Sequence, residues 1–284
     1  MEVLDVLKPE TLTEVKSLFT EYQNCKILAG GTDLLLDIKN GKQSPQYLID
    51  LGNIKALKKI EKVRKDIVIG SMVSFKTLSE AKIIKQYFNS LYHSAKGMGS
   101  PQIRNLATIG GNIINGAPAA DITPCLISLD ATLVIESAEY ERFISCEQYF
   151  IDYDKEKVRE NEVLTKIIIP KKKRLTGFYK LGKRNSLAIA RVNTAISIEV
   201  KQNKIKSFAV CLGAVGRYPF RVLELEKMVV GKSLDYLLAD EVLEKLENAV
   251  FASIKTRKTM PFKKEAIKGV FKKALENAYG EVIL

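Results

Sequence analysis

Short apolar runs alternate with amphipathic stretches over the first fifty residues. Three strands are expected, at residues 3–7, 26–29 and 47–51. Between the first two, Thr11 or Thr13 is placed to accept the hydrogen bond that caps an amphipathic helix. This order of elements predicts a small βαβ-like subdomain over about residues 1–55.

The pattern changes after residue 56, where β-branched runs bounded by turn residues predict longer strands. These runs lie at residues 66–70, 131–136 and 166–170. Helices are expected between them, near residues 74–95 and 121–129. Residues 56–173 are therefore expected to form an α+β subdomain with a mainly antiparallel sheet.

The basic segment that begins at Lys171 marks the expected boundary of a second domain. Strands are then expected around residues 178–183, 192–200 and 205–214, and helices over about 234–256 and 262–279. The last helix carries an apolar face that either packs within its own domain or docks another subunit. This face is made of Phe262, Ala266, Val270, Phe271, Ala274, Leu275 and Ala278. We therefore divide the chain into residues 1–173 and 174–284, with an α+β fold class.

The composition is that of a globular protein: 46% of the 284 residues are hydrophobic and 27% are charged. The first five residues do not resemble a signal peptide, and no apolar run approaches the ~18–20 residues that cross a bilayer. A cytoplasmic location is expected. With four scattered cysteines and one histidine, the chain is not expected to hold an iron–sulfur cluster or a zinc ion.

The net charge of +12 raises the possibility of nucleic-acid binding. The basic residues are spread along the whole chain, however, and no zinc-finger spacing or aromatic–basic motif accompanies them. A solvated basic surface is favoured over a nucleic-acid-binding face. A third interpretation is that the positive surface complements an acidic partner subunit and steers its docking.

A first glycine pair follows the predicted strand at residues 26–29, in Ile27-Leu-Ala-Gly-Gly-Thr-Asp-Leu34. Paired glycines permit positive φ values and let the backbone approach a ligand closely, and successive N–H groups in such a turn can receive phosphate oxygens. Thr32 adds a hydroxyl donor, and Asp33 is placed to cap the next turn. An ordinary strand-to-helix turn explains this segment equally well.

A second glycine pair lies in Thr108-Ile-Gly-Gly-Asn112 and repeats the chemistry of the first, with a hydroxyl, two bare backbone units and an amide. Nine residues further on, Asp121 is placed to bind sugar hydroxyls or to cap the following helix. Two such segments indicate a long, doubly phosphorylated ligand. The chain has no G-x-G-x-x-G after a strand, and Glu226 replaces the first glycine of a Walker loop ending at Gly231-Lys-Ser233.

At these residues the chain resembles a known family. Ala29-Gly-Gly-Thr-Asp-Leu34, together with Arg104-Asn, Thr108-Ile-Gly-Gly-Asn-Ile, Pro118 and Asp121, is similar to the signature regions of the FAD-binding medium subunits of molybdenum hydroxylases. The family includes flavin subunits or domains of xanthine, nicotinate and carbon monoxide dehydrogenases. The likeness extends over nearly the whole chain.

The resemblance implies an FAD-binding domain of the vanillyl-alcohol-oxidase/MurB-like type with two subdomains, followed by a C-terminal antiparallel sheet with a helical bundle. It implies that non-covalent FAD is bound at Ile27, Leu28, Ala29, Gly30, Gly31, Thr32, Asp33, Leu34, Thr108, Ile109, Gly110, Gly111 and Asn112. Asp121 would bind the hydroxyl-bearing chain, Leu164 and Met98 would pack on the adenine, and Lys180 would lie near the flavin ring. Met98 departs from some relatives, which have an aromatic residue there.

The family likeness also implies an oxidoreductase subunit in a heterotrimer, with iron–sulfur clusters on a small partner and the molybdenum cofactor on a large one. Electrons would reach FAD from the clusters and leave to NAD or another acceptor, which would approach the loop at residues 182–187. Xanthine is the expected substrate, with nicotinate, aldehydes and carbon monoxide left open. A self-contained flavoprotein oxidase and a basic nucleic-acid-binding protein are the alternatives.

Overall fold

A computed structural model describes residues 3–184 and 187–280. Its backbone contacts divide the chain into two compact units. The first unit contains Met1–Thr77, Ser100–Asn115 and Thr132–Pro170, and the second contains Leu78–Gly99, Gly116–Ala131 and Lys171–Leu284. The second unit thus includes two segments that precede residue 173, and a domain boundary at that residue remains a prediction.

The first unit begins with the parallel sheet expected from the βαβ-like pattern. Tyr47–Asp50 is its central strand and pairs in parallel with Asp5–Leu7 on one side and Cys25–Leu28 on the other. Helix Leu12–Glu21 connects the two outer strands, and its cap is Thr11, whose side-chain oxygen accepts from the Glu14 N–H at 3.2 Å. The predicted cap is therefore confirmed.

A second, wholly antiparallel sheet completes the framework of the first unit, as predicted. From edge to edge its strands are Ile60–Val63, Asp66–Gly70, Val163–Pro170, Thr132–Glu136 and Glu141–Ser145. The two edge strands were missing from the expectation because most of their side chains face solvent and form no apolar run. Short helices follow the strands, at Leu34–Lys39, Leu51–Asn53, Lys55–Lys58, Pro101–Leu106, Ile109–Asn115, Cys146–Ile151 and Tyr153–Glu156.

Three helices occupy the stretch of residues 74–95, where helical structure was predicted. They are Phe75–Glu80, Lys82–Tyr87 and Asn89–Lys96. The backbone leaves the helical region at Ala81, with ψ 113°, and at Phe88, with φ −137° and ψ 65°. The turn at Phe88 places its ring in the interior, where it is fully buried.

The second unit contains an antiparallel sheet whose strands follow one another in sequence. They are Leu175–Leu181, Val192–Lys201, Lys204–Gly213 and Phe220–Arg221. Its remaining helices are Ile122–Ser128, Leu223–Val229, Leu234–Leu238, Asp240–Ile254 and Met260–Tyr279. The expected helix at 234–256 is divided at Ala239, which is extended, so a 3₁₀ turn precedes the α-helix.

Helix Met260–Tyr279 packs by its apolar face within its own unit. Five side chains of the predicted face are buried in the core: Val270, Phe271, Ala274, Leu275 and Ala278. Phe262, at the start of the helix, is 42% exposed and lies outside this core. Over the described residues, no helix has the length and apolar character required to cross a membrane.

Candidate functional site

The first glycine segment leaves a row of backbone donors without partners. It follows strand Cys25–Leu28 and leads into helix Leu34–Lys39. Within residues 3–184 and 187–280, no acceptor receives the N–H groups of residues 30–33. Gly31 adopts the left-handed conformation, with φ 69°, that glycine accepts without strain. Four consecutive unpaired N–H groups before a helix suit the oxygens of a phosphate.

Asp33 does not cap the helix that follows it, contrary to expectation. It occupies the cap position with helical backbone angles, φ −110° and ψ −49°, and its carboxylate makes no capping hydrogen bond. A cap residue normally has an extended backbone, which turns its side chain towards the free N–H groups. The Asp33 carboxylate instead lies 3.5 Å from the Thr32 hydroxyl.

Position 30 has room only for glycine, because another part of the chain lies close to its backbone. A Cβ atom added there would lie 1.9 Å from the carbonyl oxygen of Leu106, the residue that ends helix Pro101–Leu106. Gly110 is restricted in the same way, since its Cβ would lie 2.6 Å from that of Ser71. These glycines therefore pack the two predicted segments and the strand end at Ser71 into one structure.

The second glycine segment forms the start of a helix, Ile109–Asn115, and the backbone N–H groups of residues 109–112 have partners within the chain. The Gly110 N–H donates to the Ser71 carbonyl at 2.8 Å, and the Gly111 N–H donates to the Thr108 hydroxyl oxygen at 3.1 Å. The N–H groups of residues 109 and 112 are also paired. The expectation that this segment repeats the backbone chemistry of the first is therefore wrong.

Side chains are what the second segment offers to a ligand. The Thr108 hydroxyl accepts from Gly111, and its own hydrogen remains available for donation. The side-chain oxygen of Asn112 is buried and finds no hydrogen-bond partner in the described part of the chain. A buried amide oxygen without a donor is unfavourable unless a ligand or water supplies one.

A cleft of about 300 Å³ lies where the two segments meet within the first unit. Its walls are formed by Ala29, Gly30, Lys58, Met72, Val73, Ser74, Thr77, Asn105, Leu106 and Thr108. Ala29, Gly30 and Thr108 were predicted from the sequence, and Asn105 is part of the motif that carries the family resemblance. The hydroxyl residues Ser74 and Thr77 were missed, as was Lys58, which is one of many lysines.

Other predicted residues are not among those that line this cleft. Ile27 and Leu28 are in the strand before it, and Leu164 is a buried member of strand Val163–Pro170, with 4% of its surface exposed. Met98, Asp121 and Lys180 belong to the second unit. Of the predicted acceptor loop at 182–187, residues 185 and 186 lie outside the described part of the chain.

Asp121 and Lys180 form an ion pair inside the second unit. The Lys180 ammonium lies 2.5 Å from one Asp121 carboxylate oxygen, and the Asn193 amide donates to the other at 3.0 Å. The side chain of Asp121 is 6% exposed and that of Lys180 is 17% exposed. Burial raises the pKa of Asp121 above its usual value, although Lys180 and Asn193 oppose that shift.

The predicted capping role of Asp121 is wrong, because its backbone is helical and its carboxylate makes no capping bond. Lys180 also donates to the Gly97 carbonyl at 2.9 Å. An ammonium group has three hydrogens, so one remains without an acceptor among the described residues. The arrangement orients a positive charge and leaves one donor for a ligand.

Two protein families match successive parts of the chain. The family described as "FAD binding domain in molybdopterin dehydrogenase" matches residues 2–172. The family described as "CO dehydrogenase flavoprotein C-terminal domain" matches residues 177–278. The two matches together span most of the sequence.

Similar proteins include subunits of several dehydrogenases. The nicotinate dehydrogenase FAD-subunit of Eubacterium barkeri is 34% identical, over 96% of this chain and 95% of that protein. The glyceraldehyde dehydrogenase medium chain of Sulfolobus acidocaldarius is 27% identical, over 95% and 96%. A solved structure of carbon monoxide dehydrogenase from Hydrogenophaga pseudoflava contains a chain with a TM-score of 0.87 and 25% identity, covering 98% of each chain.

Proposed function

Because the chain belongs to the family of FAD-binding domains found in molybdopterin dehydrogenases, we propose that it is the electron-transfer subunit of a molybdenum hydroxylase complex. In this function it takes electrons from iron–sulfur clusters on a small partner subunit and passes them to NAD or another acceptor. The large partner subunit holds the molybdenum cofactor. The observation that carries the proposal is the row of four unpaired N–H groups beside a polar cleft.

The first unit would bind the diphosphate of FAD at the first glycine segment. The N–H groups of residues 30–33 donate to phosphate oxygens, and the exposed Lys58 ammonium supplies positive charge from the cleft wall. The Thr108 hydroxyl and the Asn112 amide lie in the neighbouring segment and are suited to hydroxyl and carbonyl groups of the same ligand. Leu164 and Met98 remain proposed contacts of the adenine.

Asp121 and Lys180 remain proposed contacts of the hydroxyl-bearing chain and of the flavin ring. FAD, when bound, supplies the redox chemistry, because it exchanges electrons one or two at a time. Lys180 is held by Asp121 and by the Gly97 carbonyl, so its charge keeps one position and its third N–H is free to donate. Asp121 thereby orients Lys180 as well as offering its own carboxylate.

Another subunit would bind the substrate of the complex, so the substrate is proposed here from the relatives of this chain. Nitrogen heterocycles are favoured, since one relative is a nicotinate dehydrogenase subunit and another is described as a putative xanthine dehydrogenase FAD-binding subunit. Nicotinate, which the sequence left open beside xanthine, is thereby proposed on equal terms with it. Purification of the complex and assay of both compounds with NAD or an artificial acceptor would decide between them.

Substitution of two adjacent lysines tests whether this cleft binds the FAD diphosphate. Lys58 lines the cleft, whereas Lys59 is exposed and lies outside it, so Lys59→Ala is a matched control for Lys58→Ala. A solvent-exposed charge near a phosphate contributes about 1 kcal/mol, and we expect Lys58→Ala to weaken FAD binding about fivefold. Binding is measured by titrating the purified apoprotein with FAD and following flavin fluorescence.

Three outcomes would contradict the proposal in different ways. Equal effects of Lys58→Ala and Lys59→Ala would place the diphosphate outside this cleft. A chain that shows no visible flavin band after reconstitution would contradict FAD binding as a whole. Purification of a flavin-containing chain that never associates with an iron–sulfur or molybdenum subunit would favour a self-contained oxidase.

A further inference from the structure

Three cationic residues lie near the start of helix Met260–Tyr279. The guanidinium carbon of Arg191 lies 4.3 Å from the centre of the Phe262 ring, and Lys263 is the next residue along the chain. Arg257 lies in the turn before the helix, where its carbonyl accepts from the Met260 N–H at 2.9 Å. We call Arg191, Arg257 and Lys263 the Arg191 cluster, and all three belong to the second unit.

Lys263 is held in place by the backbone of a strained loop. Its ammonium donates to the carbonyl oxygen of Ala214, a residue with the left-handed φ of 59°. The same loop is held by the Ser253 hydroxyl, which donates to the Val215 carbonyl at 2.7 Å. Lys263 is partly buried, so its charge is presented from a fixed position and retains two hydrogens for other acceptors.

The Arg191 cluster has no negative partner in the described part of the chain. No ion pair or side-chain hydrogen bond is made there by the guanidinium groups of Arg191 and Arg257. The first turn of helix Met260–Tyr279 contains no acidic residue. Burial, together with the charges of Arg257 and Arg191, lowers the pKa of Lys263. Like charges held together repel one another, and a bound anion would offset this unfavourable interaction.

We propose that Arg191, Arg257 and Lys263 form a binding site for a phosphate group carried by a soluble ligand. A guanidinium group that lies over an aromatic ring can still donate two parallel hydrogen bonds to a phosphate from its N–H groups. The charges of Arg191 and Arg257 both act on Lys263, and a group of three cations suits a compact anion with several charges. An acidic protein surface would match charges that are spread more widely. None of these three residues belongs to the proposed FAD site.

The test uses the full chain and inorganic pyrophosphate as the probe. Isothermal titration at low salt should give saturable binding to the wild-type protein, and added sodium chloride should weaken it. The double variant Arg191→Gln/Arg257→Gln loses two charge-assisted contacts, and we expect its affinity to fall at least about tenfold. Lys201→Gln/Lys204→Gln removes the same charge from an exposed turn and should bind pyrophosphate as the wild type does.

Three results would overturn the proposal. The first is unchanged pyrophosphate affinity in the Arg191→Gln/Arg257→Gln variant, or an equal loss in the Lys201→Gln/Lys204→Gln control. The second is loss of bound FAD from the arginine variant, which would assign the cations to the cofactor. The third is absence of pyrophosphate binding together with loss of a co-purifying protein, which would identify the cluster as a contact for an acidic protein surface.

Discussion

A single methyl group added at Gly30 should push the two glycine segments apart. In Gly30→Ala the new Cβ would lie 1.9 Å from the Leu106 carbonyl oxygen and 2.6 Å from its carbon. A carbon and an oxygen in contact are normally separated by about 3.3 Å, so the backbone must move by about 1.4 Å. Gly30 does not have a positive φ, and the effect is therefore steric.

The cost of this movement follows from the bonds around Leu106. The Phe75 N–H donates to the Ala107 carbonyl at 3.0 Å, and the Ile109 N–H donates to the Val73 carbonyl at 3.0 Å. Each bond contributes about 0.5–1.5 kcal/mol, and steric overpacking adds about 1–3 kcal/mol. We expect Gly30→Ala to lower the free energy of unfolding by about 2–6 kcal/mol and to reduce FAD retention.

The assay is urea denaturation followed by circular dichroism, with bound flavin measured on the same preparations. Gly41→Ala is the matched control, because Gly41 has φ 71° and its Cβ would have no neighbour within 4 Å. Its cost should be only the conformational penalty of about 1 kcal/mol, with FAD retained. A Gly30→Ala protein as stable as the wild type would refute the packing argument.

Three further predictions concern the buried polar groups and the core. Asp121→Asn should lower the free energy of unfolding by up to about 3 kcal/mol, because it leaves the Lys180 ammonium without its counter-ion. Urea denaturation measures this change, and an unchanged stability would contradict the ion pair. Burial opposes ionisation of Glu162, but hydrogen bonds from Arg142, the Arg159 N–H and Tyr140 outweigh it and lower its pKa. A lowered folded-state pKa stabilises above the unfolded-state pKa of about 4.3. The stability difference between wild type and Glu162→Gln should therefore shrink as the pH falls from that value through the folded pKa, and urea titrations at several pH values that show a constant difference would exclude this origin. Phe271→Ala should cost about 3–5 kcal/mol in the same assay, since the ring is fully buried in the core of the second unit, whereas the exposed Phe262→Ala should cost much less.

Local sequence patterns predicted most of the secondary structure, because each helix, strand or cap depends mainly on residues that are close together along the chain. The Thr11 cap, the parallel strands and the antiparallel sheets were all expected from the spacing of apolar and turn residues. Strands Ile60–Val63 and Glu141–Ser145 were missed, since edge strands face solvent and lack that spacing. The breaks at Ala81 and Phe88 also carried no local mark, because burial of the Phe88 ring depends on distant residues.

The amino-acid sequence by itself determined that this chain has two glycine pairs, an acid at position 121 and the family pattern that joins them. Only the tertiary structure decided what each one does. At Gly30 and Gly110 the missing side chain makes room for the protein, and at Gly31 it permits a left-handed turn. The physical reason is that glycine has the same appearance in a sequence whether its bare backbone faces a ligand or another strand. The atoms that surround it are brought there from far along the chain.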